Sequence, residues 1–186
     1  MVRRDASPGE DTTSTERWWR TSSPQEAMLG QLAVLVDEAN ALATLLKAVP
    51  DEIIHGRPFD GVPSIREMLG GLVDLERGVR RANLSRFLSE TEAELESGNV
   101  EPARQEDAID VAEILTSLRE SREELIEIAR EVARTAWDRT RRLQGEEVTP
   151  IEYLNQVVQH DALVLRQVAE RIHESLPAGL PGFTAH

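Results

Sequence analysis

Apolar residues recur at helical spacing in four blocks of the chain, and three of those blocks open with the same capping grammar. From Ser23 the chain reads S-P-Q-E, with serine at the cap, proline at the first helical position and glutamate at the third. Serine and glutamate at this spacing satisfy each other's orphan backbone amides, which defines a capping box. Met28, Leu29, Leu32, Leu35, Val36, Ala39, Leu42, Leu45, Leu46 and Val49 then recur at helical spacing until Pro50 closes the block. The stretch EIIHGRPFDGVP holds two glycines and two prolines and predicts a loop.

Ser64-Ile65-Arg66-Glu67 repeats the grammar and opens a second helix, whose buried face is Ile65, Met68, Leu69, Leu72, Val73 and Val79. Its periodicity extends through Leu84, Phe87 and Leu88 to about Glu96, as one helix or as a break and restart, and Gly98 and Pro102 mark a connection. A third helix is expected from about Asp107, with a stripe of Val111, Leu115, Leu118, Leu125, Ala129, Val132 and Ala136, ended in a short turn at Gly145. Thr149-Pro150-Ile151-Glu152 is the third capping box. It launches a helix to about Leu176 with Ile151, Leu154, Val158, Leu165, Val168 and Ile172 as its core row. No such helix buries its stripe alone, so the four pack side by side as an all-α four-helix bundle over residues 23–176. Spacing leaves open whether the connections are up-down or include crossovers.

Residues 1–22 are polar and read as a mobile N-terminal arm, interrupted by Trp18 and Trp19, which suit packing against the body or a second subunit. Residues 177–186 form a C-terminal tail.

The composition, rich in Leu, Ala, Glu and Arg, is that of helices. A net charge of −13 argues against broad nucleic-acid binding and against anionic membrane surfaces. Arg134, Arg139, Arg141 and Arg142 cluster, which reads as a solvated helix end complementing its dipole. No cysteine is present, so disulfides, thiolate metal sites and a cysteine nucleophile are excluded, as suits a reducing cytoplasm. No apolar run of membrane-spanning length and no signal peptide are evident, so a cytoplasmic protein is expected.

Phosphate loops, the G-x-S-x-G elbow, H-E-x-x-H and the E-x-x-H of di-iron bundles are all missing. The stretch RESREELIE (119–127) reads as a solvated face with i, i+4 charge pairs. Two features stand out against this background. Tyr153, Val157, His160 and Val164 make a second row on the fourth helix, flanking the core row, with a histidine among apolar neighbours. Gly70-Gly71 in mid-helix costs ~1 kcal/mol per glycine against alanine. A close helix approach, a bulky neighbour such as Trp137, or a ligand would account for Gly71. A core-edge histidine with one hydrogen bond would account for His160. His55 sits in the first loop, near the mouth of such a bundle, and His173 and His186 have no partner at ligand spacing.

PSIREMLGGLVDLE on the second helix and EEVTPIEYLNQVVQHDALVLRQV on the fourth resemble segments of the DinB-like family, a set of bacterial four-helix bundles. Family members show S-I-x-E-x-L-x-H-L-x-D-x-E, then T-x-x-x-x-L…H-x-x-x-H-x-x-Q-I, and the resemblance runs from about residue 24 to 175. It implies three histidines holding a divalent metal; the matching positions here are Gly71, His160 and Val164. Glycine and valine offer no lone pair, and the nearby acids Asp74 and Asp161 are not in register with the lost ligands. The expectation is a DinB-like protein that uses no metal or other cofactor. It would bind a small molecule or a protein partner at a pocket of Gly71, Tyr153, His160 and Val164. The resemblance implies, as alternatives, a metal-dependent thiol S-transferase, isomerase or hydrolase, and, since family members often pair, a homodimer.

Overall fold

Each long helix begins where the chain supplies its cap. A computed structural model describes residues 23–91, 93–98 and 110–175. Ser23 and Glu26 close the capping box of α1 (Pro24–Leu46), and Ser64 and Glu67 that of α3 (Ile65–Leu75). Asp110 accepts from the Ala112 amide at the start of α5 (Val111–Thr135). Glu152 accepts from the Thr149 amide at 2.7 Å ahead of α6 (Pro150–Ser175). These caps supply partners for amides that no helical carbonyl can reach.

Two apolar clusters make the core, and their membership sets the direction of every helix. One cluster draws Met28, Leu32 and Leu35 from α1, Leu84 and Phe87 from α4 (Arg81–Leu88), Leu125 to Val132 from α5, and Tyr153 to Val157 from α6. The other draws Ala39 and Leu46, Ile65 to Val73, Val111 to Leu118, and Val168 with Ile172. So α1 and α6 run one way while α3–α4 and α5 run the other. The parallel neighbours α4 and α5 therefore leave the chain ending α4 at one end of the bundle and beginning α5 at the other. Side-by-side helices joined this way require a long return, which periodicity alone leaves open.

Several expectations are corrected. Pro50 does not simply end α1: it caps a short helix, α2 (Asp51–His55), inside the expected loop, and buries Ile54. The second long helix is continuous through a π-helical segment, Glu76–Arg80, and stops at Leu88 rather than near Glu96. It stops because the chain turns back on it. The buried Asn83 amide donates to the Glu96 carbonyl (2.9 Å) and accepts from the Glu96 amide (2.9 Å), while Leu95 bonds to Arg142 (2.7 Å). Gly145 does not end a helix but turns a hairpin, β1 (Arg141–Leu143) against β2 (Glu146–Val148). Gln144 and Gly145 both have positive φ, 54° and 86°, as a tight two-residue turn matched to strand twist requires.

Arg139 and Arg141 do complement a helix dipole, but that of α4. Arg139 Nη1 donates to the carbonyls of Phe87, Leu88 and Ser89 at 3.0–3.1 Å, and Arg141 Nε to Arg86 at 3.0 Å. α1 is long and apolar enough to cross a membrane by length and composition, with a mean hydropathy of 1.3 over its most apolar 18 residues, contrary to the expectation. Its charges between Met28 and Leu46 are Asp37 and Glu38 alone. Trp18, Trp19, the arm 1–22, the helix start at Asp107 and the tail 177–186 lie outside the described residues.

Gly71 is not a close helix approach, and among the described residues neither Trp137 nor any other side chain fills its place. A Cβ built there meets no heavy atom within 4 Å. Gly71→Ala therefore keeps every contact and removes backbone freedom from the unfolded chain. The substitution is expected to stabilise the protein by roughly 0.5–1 kcal/mol, read as a higher urea midpoint with an unchanged slope.

Candidate functional site

Between the two apolar clusters lies one layer in which the stripes of three helices turn polar together. The π segment contributes Glu76 and Arg80, α5 contributes Ser121 and Arg122, and α6 contributes Asp161, all buried. Arg122 Nη2 donates to Asp161 Oδ2 at 2.8 Å and its Nε to Glu76 Oε1 at 3.2 Å. Its Nη1 donates to the Leu35 carbonyl of α1, so one guanidinium ties α1, the π segment and α6 to α5. Ser121 donates to Glu76 Oε2 at 2.7 Å. Arg80 Nη2 lies 2.7 Å from Asp161 Oδ1, and Arg80 Nη1 lies 3.5 Å from Glu76 Oε1. Neither Arg80 Nη1 nor Asp161 Oδ1 has an aligned hydrogen bond among the described residues, so ion pairing alone holds this edge of the layer.

Two cations face two anions, and the two carboxyls respond differently. Burial pushes the Glu76 carboxyl above the usual range, with Asp161 adding to the effect and Arg122, Ser121 and Arg80 opposing it. Burial pushes Asp161 upward too, but Arg80 and Arg122 outweigh it and hold the carboxyl at about 2. His160 Nδ1 stands 3.6 Å from Asp161 Oδ1, too far for a hydrogen bond, so the two arginines are the groups that hold the carboxylate ionised.

The nearer partner of His160 is Arg80, whose Nη2 lies 3.0 Å from Nδ1. A guanidinium only donates, so Nδ1 accepts and the ring proton sits on Nε2. Contrary to its expected place at the core edge, the histidine side chain is 47% exposed. It lines a cleft of about 400 Å³ between the π segment, α6 and the hairpin, with Tyr153 at the other end of the same helix face. Leu75, Val79 and Val157 also line the cleft. Tyr153 is buried and tilted against Phe87, and its hydroxyl accepts from Asn83 Nδ2 at 3.1 Å. Gly71 and Val164 are not among the lining residues: Gly71 is half-buried beside open space, and Val164 packs against the second apolar cluster. A larger cleft, about 490 Å³, includes His55 at the opposite end of the bundle. Its polar side chains Asn40, Lys47, His55 and Asp110 are exposed, and Asp110 is committed to capping α5.

The residues present do not fit a divalent metal of the kind the resemblance implies. Gly71 and Val164 provide no donor atom, Asp161 is committed to two arginines, and the Nδ1 lone pair of His160 is taken by Arg80. Among the described residues no group of three or more His, Asp or Glu side chains is placed to hold an ion.

Arg80, Arg122, Glu76 and Asn83 escaped the sequence reading, and RESREELIE is only partly a solvated face, since Ser121 and Arg122 point inward. A signal existed. The stripe Val111, Leu115, Leu118, Leu125 skips the position that Arg122 fills, and Leu72 on α3 and Val157 on α6 are each followed four residues later by a charged residue. Three gaps at one level predict a polar layer once the helices are in register.

A family model described as the DinB superfamily matches residues 34–168. The search of curated proteins finds no match.

Arg122→Ala leaves Glu76 and Asp161 short of a buried counter-charge and frees the Leu35 carbonyl. A loss of roughly 3–5 kcal/mol is expected in chemical denaturation. Asp161 is depressed on folding, from 3.8 to about 2, so its stabilisation is complete above pH 3.8 and lost as pH falls through about 2. The stability gap between the wild type and Asp161→Asn should therefore be constant near neutrality and narrow between pH 4 and pH 2. A gap that stays constant to pH 2 contradicts the assignment.

Proposed function

The chain belongs to the DinB superfamily, and from that premise we propose that it binds a small molecule, without a divalent metal, in the cleft lined by Tyr153 and His160. The observation that supports this most strongly is the Arg80–His160 contact. Where the resemblance implies a metal ion beside the surviving histidine, a buried guanidinium supplies the positive charge. That guanidinium is fixed by Asp161, which is fixed in turn by Arg122. A cation built into the protein needs no loading, but it has no open coordination position and cannot polarise a substrate as a Lewis acid does. What remains is a recognition surface: an apolar floor, a tyrosine held by a buried asparagine, and a histidine oriented by an arginine.

Protein purified without a histidine tag and dialysed is expected to hold far less than one zinc or nickel per chain by elemental analysis. His160→Ala should show the same content. One ion per chain in the wild type, lost in the variant, would overturn the metal-free reading.

A further inference from the structure

The ligand class of this cleft follows from where its hydrogens must lie. Asn83 Oδ1 accepts from the Glu96 amide at 2.9 Å and from Arg86 Nη1 at 2.7 Å, so that atom is oxygen and Nδ2 is the donor. Nδ2 gives its hydrogens to the Glu96 carbonyl and to the Tyr153 hydroxyl oxygen. The phenolic oxygen is therefore an acceptor from behind, and among the described residues its own hydrogen has no acceptor. His160 repeats the arrangement. Arg80 occupies Nδ1 from behind, which leaves Nε2–H as the free group on a half-exposed ring that lines the cleft.

Resting on the reading above, we propose that the cleft recognises an elongated, uncharged molecule with an apolar body and hydrogen-bond acceptor oxygens at its two ends, of the ketone, ester or amide type. One oxygen accepts from Tyr153 O–H and the other from His160 Nε2–H. The two residues stand seven apart on one helix face, roughly 10 Å along the axis. Val157 lies between them, with Leu75 and Val79 also lining the cleft to meet the apolar body. Glu146 at the cleft disfavours an anionic ligand, and Glu96 is already paired with Arg86. Arg80 is already neutralised by Asp161.

Tyr153 is the only tyrosine in the chain, so its ring resonances report the cleft without ambiguity. The test titrates the full chain by NMR with three matched probes: nonane-2,8-dione, heptanedioate and heptane-1,7-diammonium. The dione should move the Tyr153 and His160 ring signals and bind more tightly than either charged probe. Tyr153→Phe and His160→Ala should each weaken the dione roughly fivefold, the effect of one net hydrogen bond; His160→Ala keeps a melting temperature close to wild type, and Tyr153→Phe melts a few degrees lower because the buried Asn83 Nδ2 loses an acceptor. Dione affinity unchanged in both variants overturns the proposal, as does tighter binding of either charged probe. In those cases a small-molecule cleft still stands. If none of the three probes moves the Tyr153 signals, both the donor assignment and the cleft reading fall.

Discussion

Two arginines and two carboxylates closed off from solvent are the constraint around which the bundle is arranged. Burying ions is expensive, and their attraction offsets that cost only when every partner is in place. Glu76, Arg122 and Asp161 must therefore meet at one level, which fixes the axial register of the π segment, α5 and α6. The Arg122 bond to the Leu35 carbonyl adds α1 to the same level. Apolar stripes slide past each other with little change in buried area. A buried ion pair does not slide, because a shift of one turn strands a charge. On this account the polar layer defines the alignment, and the two apolar clusters on either side supply the bulk of the stability.

The same layer reaches the cleft. Arg80 touches the buried pair on one side and His160 on the other, so the orientation of a half-exposed imidazole is inherited from charges that never see solvent. The π segment belongs to this arrangement: Glu76 and Arg80 are its two ends, both buried, with exposed Arg77 and Gly78 between them. A local departure from α-helical spacing where a helix meets a site is a recurring feature of such positions. At the other end of the cleft Asn83 plays the equivalent part, ordering Tyr153 while pinning the returning chain at Glu96.

The local elements were readable because their causes are local. Ser23 with Glu26, Ser64 with Glu67 and Thr149 with Glu152 act over three residues, and each opens a helix as the spacing predicts. The third-helix stripe, Val111 to Ala136, is buried throughout. Tyr153 and His160 were placed on one face of the last helix by counting alone. Other features depended on distant residues. Asn83 ends a helix through a residue thirteen positions away, and Arg139 and Arg141 cap carbonyls about fifty positions away.

The sequence by itself determined where three of the long helices start, which faces are apolar, and that the metal ligands expected from the resemblance are missing at Gly71 and Val164, since these depend on residue type and short-range periodicity. Tertiary structure alone decided that Arg122 points inward rather than into water, that Asp161 is the buried acid of α6, and that Arg80 takes the place beside His160. The physical reason is that a charged side chain has no preferred side until its counter-charges arrive, and Asp161 arrives from 39 residues away for Arg122 and from 81 for Arg80.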